Sequence, residues 1–275
     1  MKPIFNVPGA GAYAFIMGII SGYPIGAKIV SDFKSQNICS EIECERLLAF
    51  TNNSGPLFII GTIGSSLFYD TRIGILLLVT HILACITVGF LFRWWKASPQ
   101  YNSNPPKIYL DKYTNGNTQL AKLSNLGEIL AASIMNAVHT VVLIGGFVVL
   151  FSVIISILEN SRILPIMSLA ISPILNFFGI SANYTSGFIT GLMELTNGVN
   201  AIASIPAQKI SINIILCSFL IGFGGISVLL QVLSITSKSK LSIKPYIYGK
   251  LLQSSFSALY TFLILEHFMF FRLDL

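Results

Sequence analysis

The sequence predicts an all-α polytopic membrane protein organised as an inverted repeat, and three observations carry that prediction. Composition is the first: of 275 residues, 53% are hydrophobic and 10% charged, with a mean hydropathy of +0.76, where an average soluble domain is roughly a quarter charged. The second is that the apolar runs are interrupted by helix-breaking stretches, namely Ser21 to Lys28 (SGYPIGAK), Asn52 to Pro56 (NNSGP), Glu194 to Asn200 (ELTNGVN) and Gly222 to Gly225 (GFGG). Broken helix at membrane depth is tolerated only where protein buries the freed backbone groups or where they line a cavity, so each interruption points to a site. The third observation is their order, in which a hairpin with a glycine tip, a broken span and a plain span occur once and then again.

Each element follows in turn. Residues 13 to 34 carry their interruption too early for a crossing of about 20 residues, which predicts a re-entrant hairpin with its tip near Gly22 to Gly26. The polar connector 32 to 46 should turn helical from a cap at Ser40. Leu47 to Phe68 is a broken span, Tyr69 to Arg72 a polar turn, and Gly74 to Phe92 a plain span closed by the anchor Arg93-Trp94-Trp95-Lys96. Residues 97 to 125, rich in Asn, Ser, Pro and Lys, read as an exposed loop. Ile129 to Leu158 is a long helix, amphipathic at its start and spanning after His139. Leu164 to Phe178, broken by Pro165 and Pro173, suits the interface. Then come a second hairpin (185 to 204), a second broken span (212 to 236) and a last crossing (246 to 271).

Gly18 aligns with Gly191 and Gly55 with Gly225. An odd number of crossings between the two hairpins makes the repeats inverted, as in many secondary transporters. The expected unit is one membrane transport domain, 1–275, with a first repeat at 10–96, the polar loop at 97–125 and a second repeat at 129–271. Charge supports the topology. Of the 17 basic residues, only Arg72, Arg162, Lys209 and Arg272 fall on the second side; the others, Lys28 and Lys250 among them, fall on the first, which is therefore cytoplasmic.

Unwound spans offer carbonyls and half-helix C-termini to cations, and half-helix N-termini to anions. The candidate substrate-binding residues are therefore Gly22, Tyr23, Pro24, Gly26 and Lys28 at the first hairpin; Asn52, Asn53, Ser54 and Gly55 at the first broken span; Thr196, Asn197 and Asn200 at the second hairpin; and Gly224, Gly225 and Gln231 at the second broken span. Lys28 either attracts an anion or snorkels to the interface. Glu194, an acid inside an apolar segment, is the candidate for coupling to a cation or proton, or else sits at a wet hairpin mouth.

The net charge of +6 flanks apolar spans rather than forming a basic stripe, so nucleic acid is not an expected partner. Cys39, Cys44, Cys85 and Cys217 have no paired metal spacing, and the in-span His81 and His139 read as packing or interhelical hydrogen bonds, so neither a metal nor a cofactor is expected. With no phosphate-binding loop, nucleophile elbow or zinc-protease helix, the chain is not expected to be an enzyme. Nor does a secretory signal peptide open it.

Asn6 to Gly9 (NVPG), Ser21 to Lys28, Glu45-Arg46-Leu47 and Phe50 to Phe58 (FTNNSGPLF) resemble the YlbJ-type (SpoVV) sporulation integral membrane proteins of endospore-forming Firmicutes. These carry the gate, or nucleoside-recognition, domain, which is similar to the core of concentrative nucleoside transporters. The resemblance covers nearly the whole chain and is most specific in its first 60 residues. It implies export of dipicolinic acid from the mother cell toward the forespore, across the outer forespore membrane, in support of spore cortex formation. Family members usually have further hydrophobic helices before this point, so it also implies an N-terminal scaffold region missing from this chain. The expected partners are a small-molecule anion and the lipid bilayer, and a homo-oligomer is compatible with the pattern. The alternatives are a transporter of nucleosides or other small solutes, and a non-transporting membrane scaffold for cortex assembly.

Overall fold

The computed structural model describes residues 1–96, 126–206 and 210–267, and every regular element among them is a helix. The first half opens with α1 (Lys2–Phe5), whose Phe5 stacks on Phe50 with ring centroids 5.1 Å apart. Helices α2 (Gly11–Ser21) and α3 (Ile25–Ser35) are the arms of the first hairpin, joined through Gly22 at φ 76° and a cis Tyr23–Pro24 peptide. That positive φ is open to glycine at little cost. Gly18 and Gly26 let the arms sit directly on the next helix, since a Cβ on either would run into the Thr51 carbonyl.

Helix α4 (Glu41–Thr51) begins at the expected cap: Glu43 N donates to Ser40 Oγ at 3.3 Å and Ser40 N donates to Glu43 Oε2 at 2.9 Å, a reciprocal box. It ends where Asn52 turns extended, and Pro56, which has no N–H, follows shortly. The span resumes as α5 (Leu57–Leu67), a π-helix. The Ser65 and Ser66 hydroxyls donate to the carbonyls of Ile60 and Gly61 at 3.1 Å, five residues back and in keeping with that wider coil. Asp70 caps α6 (Thr71–Phe92), accepting from Arg72 N at 2.8 Å. The far end of α6 is fastened to α4: Trp95 Nε1 donates to the buried Glu45 at 2.8 Å, and Arg46 donates to the carbonyls of Trp95 (2.8 Å) and Asn6 (2.9 Å).

The second half comprises α7 (Leu126–Asn160), α8 (Ile163–Phe177), the hairpin arms α9 (Thr185–Met193) and α10 (Leu195–Ala203), the broken span α11 (Ile210–Phe223) and α12 (Gly225–Thr236), and α13 (Lys244–His267). Thr71–Phe92, Leu126–Asn160 and Ile210–Thr236 are long and apolar enough to cross a membrane. One hydrophobic core lies around α2 to α4 and extends to Val228, Val232 and Tyr246; a second joins Ile63, Leu77, Val199 and Leu220.

In both halves the hairpin break rests on the break of the following span. A Cβ on Gly22 would come 3.0 Å from the Gly55 nitrogen. One on Gly225 would come 3.2 Å from the Gly191 carbonyl oxygen and 3.3 Å from Leu195 N.

Three expectations need correction. Pro165 and Pro173 do not interrupt α8: Pro165 occupies the first turn, where its missing N–H has no helical partner to lose, and Pro173 is carried inside the helix. The second hairpin breaks only at Glu194, and residues 195 to 200 are helical because the Glu194 carboxylate caps them. Of the Gly222 to Gly225 stretch, Gly222 and Phe223 still belong to α11, and the break is confined to Gly224 and Gly225, both at φ 85°. The first turns of α7, residues 126–139, are exposed all round. The expected loop 97–125, the end of the last crossing (268–271), Lys209 and Arg272 lie outside the described residues.

Candidate functional site

Where the first hairpin meets α13, the structure places Lys250, 2% exposed, six residues into that helix. Its Nζ donates to Gln253 Oε1 at 2.9 Å and to the Tyr23 hydroxyl at 3.2 Å, and lies 4.9 Å from the Tyr23 ring centroid and 5.9 Å from that of Tyr246. An ammonium has three donors, so one N–H is left facing aromatic surface. No described carboxylate lies within ion-pair distance; the ion pairs among the described residues are Lys34–Glu41, Arg72–Asp70 and Lys96–Glu45. A buried cation supported by neutral oxygens and ring faces alone is costly and marks a functional position in a membrane bundle.

The first broken span supplies the wall beside it. Asn52 Oδ1 accepts from Ala27 N on the hairpin at 3.3 Å, and its Nδ2 donates to the Tyr246 hydroxyl at 3.4 Å. Asn53 Oδ1 accepts from Gln253 Nε2 at 2.8 Å, while its Nδ2 donates to the Phe50 carbonyl at 2.8 Å and to Cys85 Sγ at 3.2 Å. Ser54 N donates to His81 Nε2 at 3.4 Å, and Gln253 Nε2 lies 3.5 Å from the same nitrogen. Two donors aimed at Nε2 make it the acceptor and put the ring proton on Nδ1. That Nδ1 is buried with no hydrogen-bond partner among the described residues.

Tyr23 ties the halves together: its hydroxyl donates to the Ile221 carbonyl of α11 at 3.1 Å, and a Cβ on Gly224 would sit 3.0 Å from the same oxygen. The structure thus gathers Gly22, Tyr23, Pro24, Gly26, Asn52, Asn53, Ser54, Gly55 and Gly224 around one place. Lys28 stays half-buried on α3, outside this hydrogen-bonded group.

The residues of the second hairpin face elsewhere. Glu194, 3% exposed, accepts from Thr196 N at 3.1 Å and Asn197 N at 2.8 Å, the geometry of a carboxylate on a helix N-terminus. Asn197 Nδ2 donates to Ser152 Oγ at 2.8 Å, beside a cavity of about 290 Å³ between α7 and the hairpin that also holds Ser156, Glu159 and Thr190. Thr196 and Asn200 are exposed. Gln231 is 2% exposed on α12, and neither its Oε1 nor the Ser227 hydroxyl one turn earlier has a hydrogen-bond partner among the described residues.

Lys250, counted among the charges of the cytoplasmic side, is buried inside the bundle rather than exposed on its flank. Gln253, Tyr246 and Cys85 were not among the expected site residues, whereas His81 makes an interhelical hydrogen bond of the kind expected of it. A signal was present: Tyr246, Lys250, Gln253, Ser257 and Thr261 recur at helical spacing, a polar stripe down one face of an apolar segment. All of these are buried. Below Gln253 the stripe becomes a hydroxyl ladder, with Ser218 and Ser257 2.8 Å apart and the Thr261 hydroxyl 2.8 Å from Ser218 Oγ and 3.0 Å from Thr80 Oγ1.

The family described as Gate, nucleoside recognition, matches residues 141–239, which contain α8, the second hairpin and the second broken span. Over 270 residues, 96% of this chain, the sequence is 32% identical to the Sporulation integral membrane protein YlbJ of Bacillus subtilis (strain 168), and it spans 66% of that protein's length. No solved structure matches the chain at a significant level.

Proposed function

Because the chain belongs to the YlbJ-type family of sporulation integral membrane proteins, we propose that it is a secondary-type membrane transporter of a small carboxylated solute. The observation that carries this reading is the meeting of interruptions from both halves at Tyr23, which touches α11 beside the Gly224 break while its own hairpin break rests on Gly55. Broken helices converging from two halves of a chain are how secondary transporters build a site near mid-membrane. The proposed architecture is a single transport domain of two inverted repeats, resembling the concentrative nucleoside transporter core. By that resemblance the solute is dipicolinic acid, exported from the mother cell toward the forespore across the outer forespore membrane, by a protein assembled as a homo-oligomer. Glu194 retains its proposed coupling role, with its carboxylate positioned by the α10 N-terminus. The match to a nucleoside-recognition family supports a second reading, a neutral nucleoside held by the amides of Asn53 and Gln253.

Flux measurements on the purified full chain in liposomes loaded with dipicolinate or uridine test the proposal. Wild type should release dipicolinate, and Gly26→Leu, which drives a side chain into the Thr51 carbonyl, should insert but not transport. If neither solute moves through wild type, the transporter reading fails and the scaffold alternative stands. Uridine flux without dipicolinate flux would select the nucleoside.

A further inference from the structure

We propose that Lys250 is the anion-recognition residue of this protein: a carboxylate of the solute binds its Nζ, replaces the Tyr23 hydroxyl there, and so frees the first hairpin from α13. This deepens the transporter reading and rests on it. Lys250 is the buried cation of the cluster, with no carboxylate at ion-pair distance among the described residues and with one N–H turned toward ring faces. The ring of His81, whose Nε2 lies 3.5 Å from the Gln253 amide that also serves Lys250, carries a buried Nδ1 donor with no partner among the described residues. A cation and an unused neighbouring donor, with acceptors already spoken for, suit an anionic ligand.

Tyr23 gives the exchange its consequence. Its hydroxyl accepts from Lys250 at 3.2 Å while donating to the Ile221 carbonyl at 3.1 Å, so a single oxygen holds the hairpin tip to both α13 and α11. A carboxylate is the stronger partner for an ammonium, because charge-assisted hydrogen bonds are about twice as strong as those to neutral acceptors. Occupancy of Lys250 therefore removes one of the hairpin's two attachments through Tyr23. The solute class is a small anion with at least one carboxylate.

The test compares dipicolinate with its neutral analogue pyridine-2,6-dimethanol on the full chain in nanodiscs, with binding followed by calorimetry and by thermal shift. Wild type should be stabilised by dipicolinate and unaffected by the diol. Lys250→Met should lose dipicolinate affinity by about 30-fold or more, the scale of removing one partner from a buried charge pair. Lys250→Arg, which keeps the charge, should lose much less. Tyr23→Phe should bind dipicolinate at least as tightly as wild type, because the competing hydroxyl is gone. Equal dipicolinate affinity in Lys250→Met and wild type overturns the assignment while leaving transport intact, and so does weakened binding in Tyr23→Phe. Should Lys250→Met fail to fold, the wild-type comparison decides, because equal stabilisation by the diacid and the diol also overturns it. Absence of flux for every solute in liposomes is the separate failure of the transporter reading.

Discussion

Asn53→Ala gives the sharpest energetic test of how the site is held. The substitution removes the acceptor of the Gln253 amide and the donor to the Phe50 carbonyl, two contacts of 2.8 Å. The Phe50 carbonyl keeps the Cys85 thiol at 2.8 Å, so the penalty falls mainly on Gln253, whose Nε2 is left with His81 Nε2 at 3.5 Å as its remaining partner among the described residues. An unsatisfied buried amide costs about 1–3 kcal/mol, which puts Asn53→Ala near 2 kcal/mol. Gln253→Leu deprives both Asn53 and Lys250 of a partner and should cost about 3 kcal/mol by the same rule. The double variant should fall short of their sum by about 1 kcal/mol, between the average of roughly 0.6 and the maximum of roughly 1.7 kcal/mol found for interhelical hydrogen bonds in membranes. Reversible unfolding of the four proteins in mixed micelles, followed by circular dichroism, measures that shortfall. A value below about 0.3 kcal/mol, the scatter of independent sites, would refute the claim that this amide pair couples the broken span to α13.

Asp70→Ala should destabilise the protein by about 1 kcal/mol, the usual worth of an N-cap, as read from melting. The Arg72 side-chain hydrogen bond holds the Asp70 carboxyl below its ordinary value, so this contribution is whole above the ordinary carboxylate range and disappears as pH falls through the lowered value. The melting gap between wild type and variant should therefore close on acidification, and a gap that widened would contradict the cap. Lys28→Gln should weaken dipicolinate binding far less than Lys250→Gln, and the reverse order would return the anion contact to α3. All four native cysteines are buried, which leaves a low background for single-cysteine labelling. A cysteine placed within 97–125 should label from the cytoplasmic face and one within 159–184 from the opposite face; labelling of both from one face would remove the inverted repeat.

Much of the first half was legible because its signals are local. Ser40 and Glu43 at capping spacing, Asn52 to Pro56 in an apolar run, and glycines flanking a Tyr-Pro step fix where helices stop and start with no reference to distant residues. The break at Glu194 was legible too, but its extent was not: Asn197 and Asn200 look like turn residues until the carboxylate before them is seen capping a helix. Lys250 escaped because a lysine near the start of a span reads as a flank, and only the path of α13 between α4, α6 and α11 encloses it. The contacts that join the first half of the site to α11 and α13 bridge 172 to 227 residues, a distance over which periodicity carries no information.

Those separations also govern how the molecule can be made. Tyr23 leaves the ribosome early, yet its two oxygen contacts await Ile221 and Lys250, 198 and 227 residues later. Asn52 waits likewise for Tyr246, and Asn53 for Gln253. Until α13 enters the bilayer, the first hairpin and first broken span are polar segments with missing partners, in a solvent that offers none. Completion of the site thus waits for α13, and the hairpin and broken span made before that helix are finished only when it arrives.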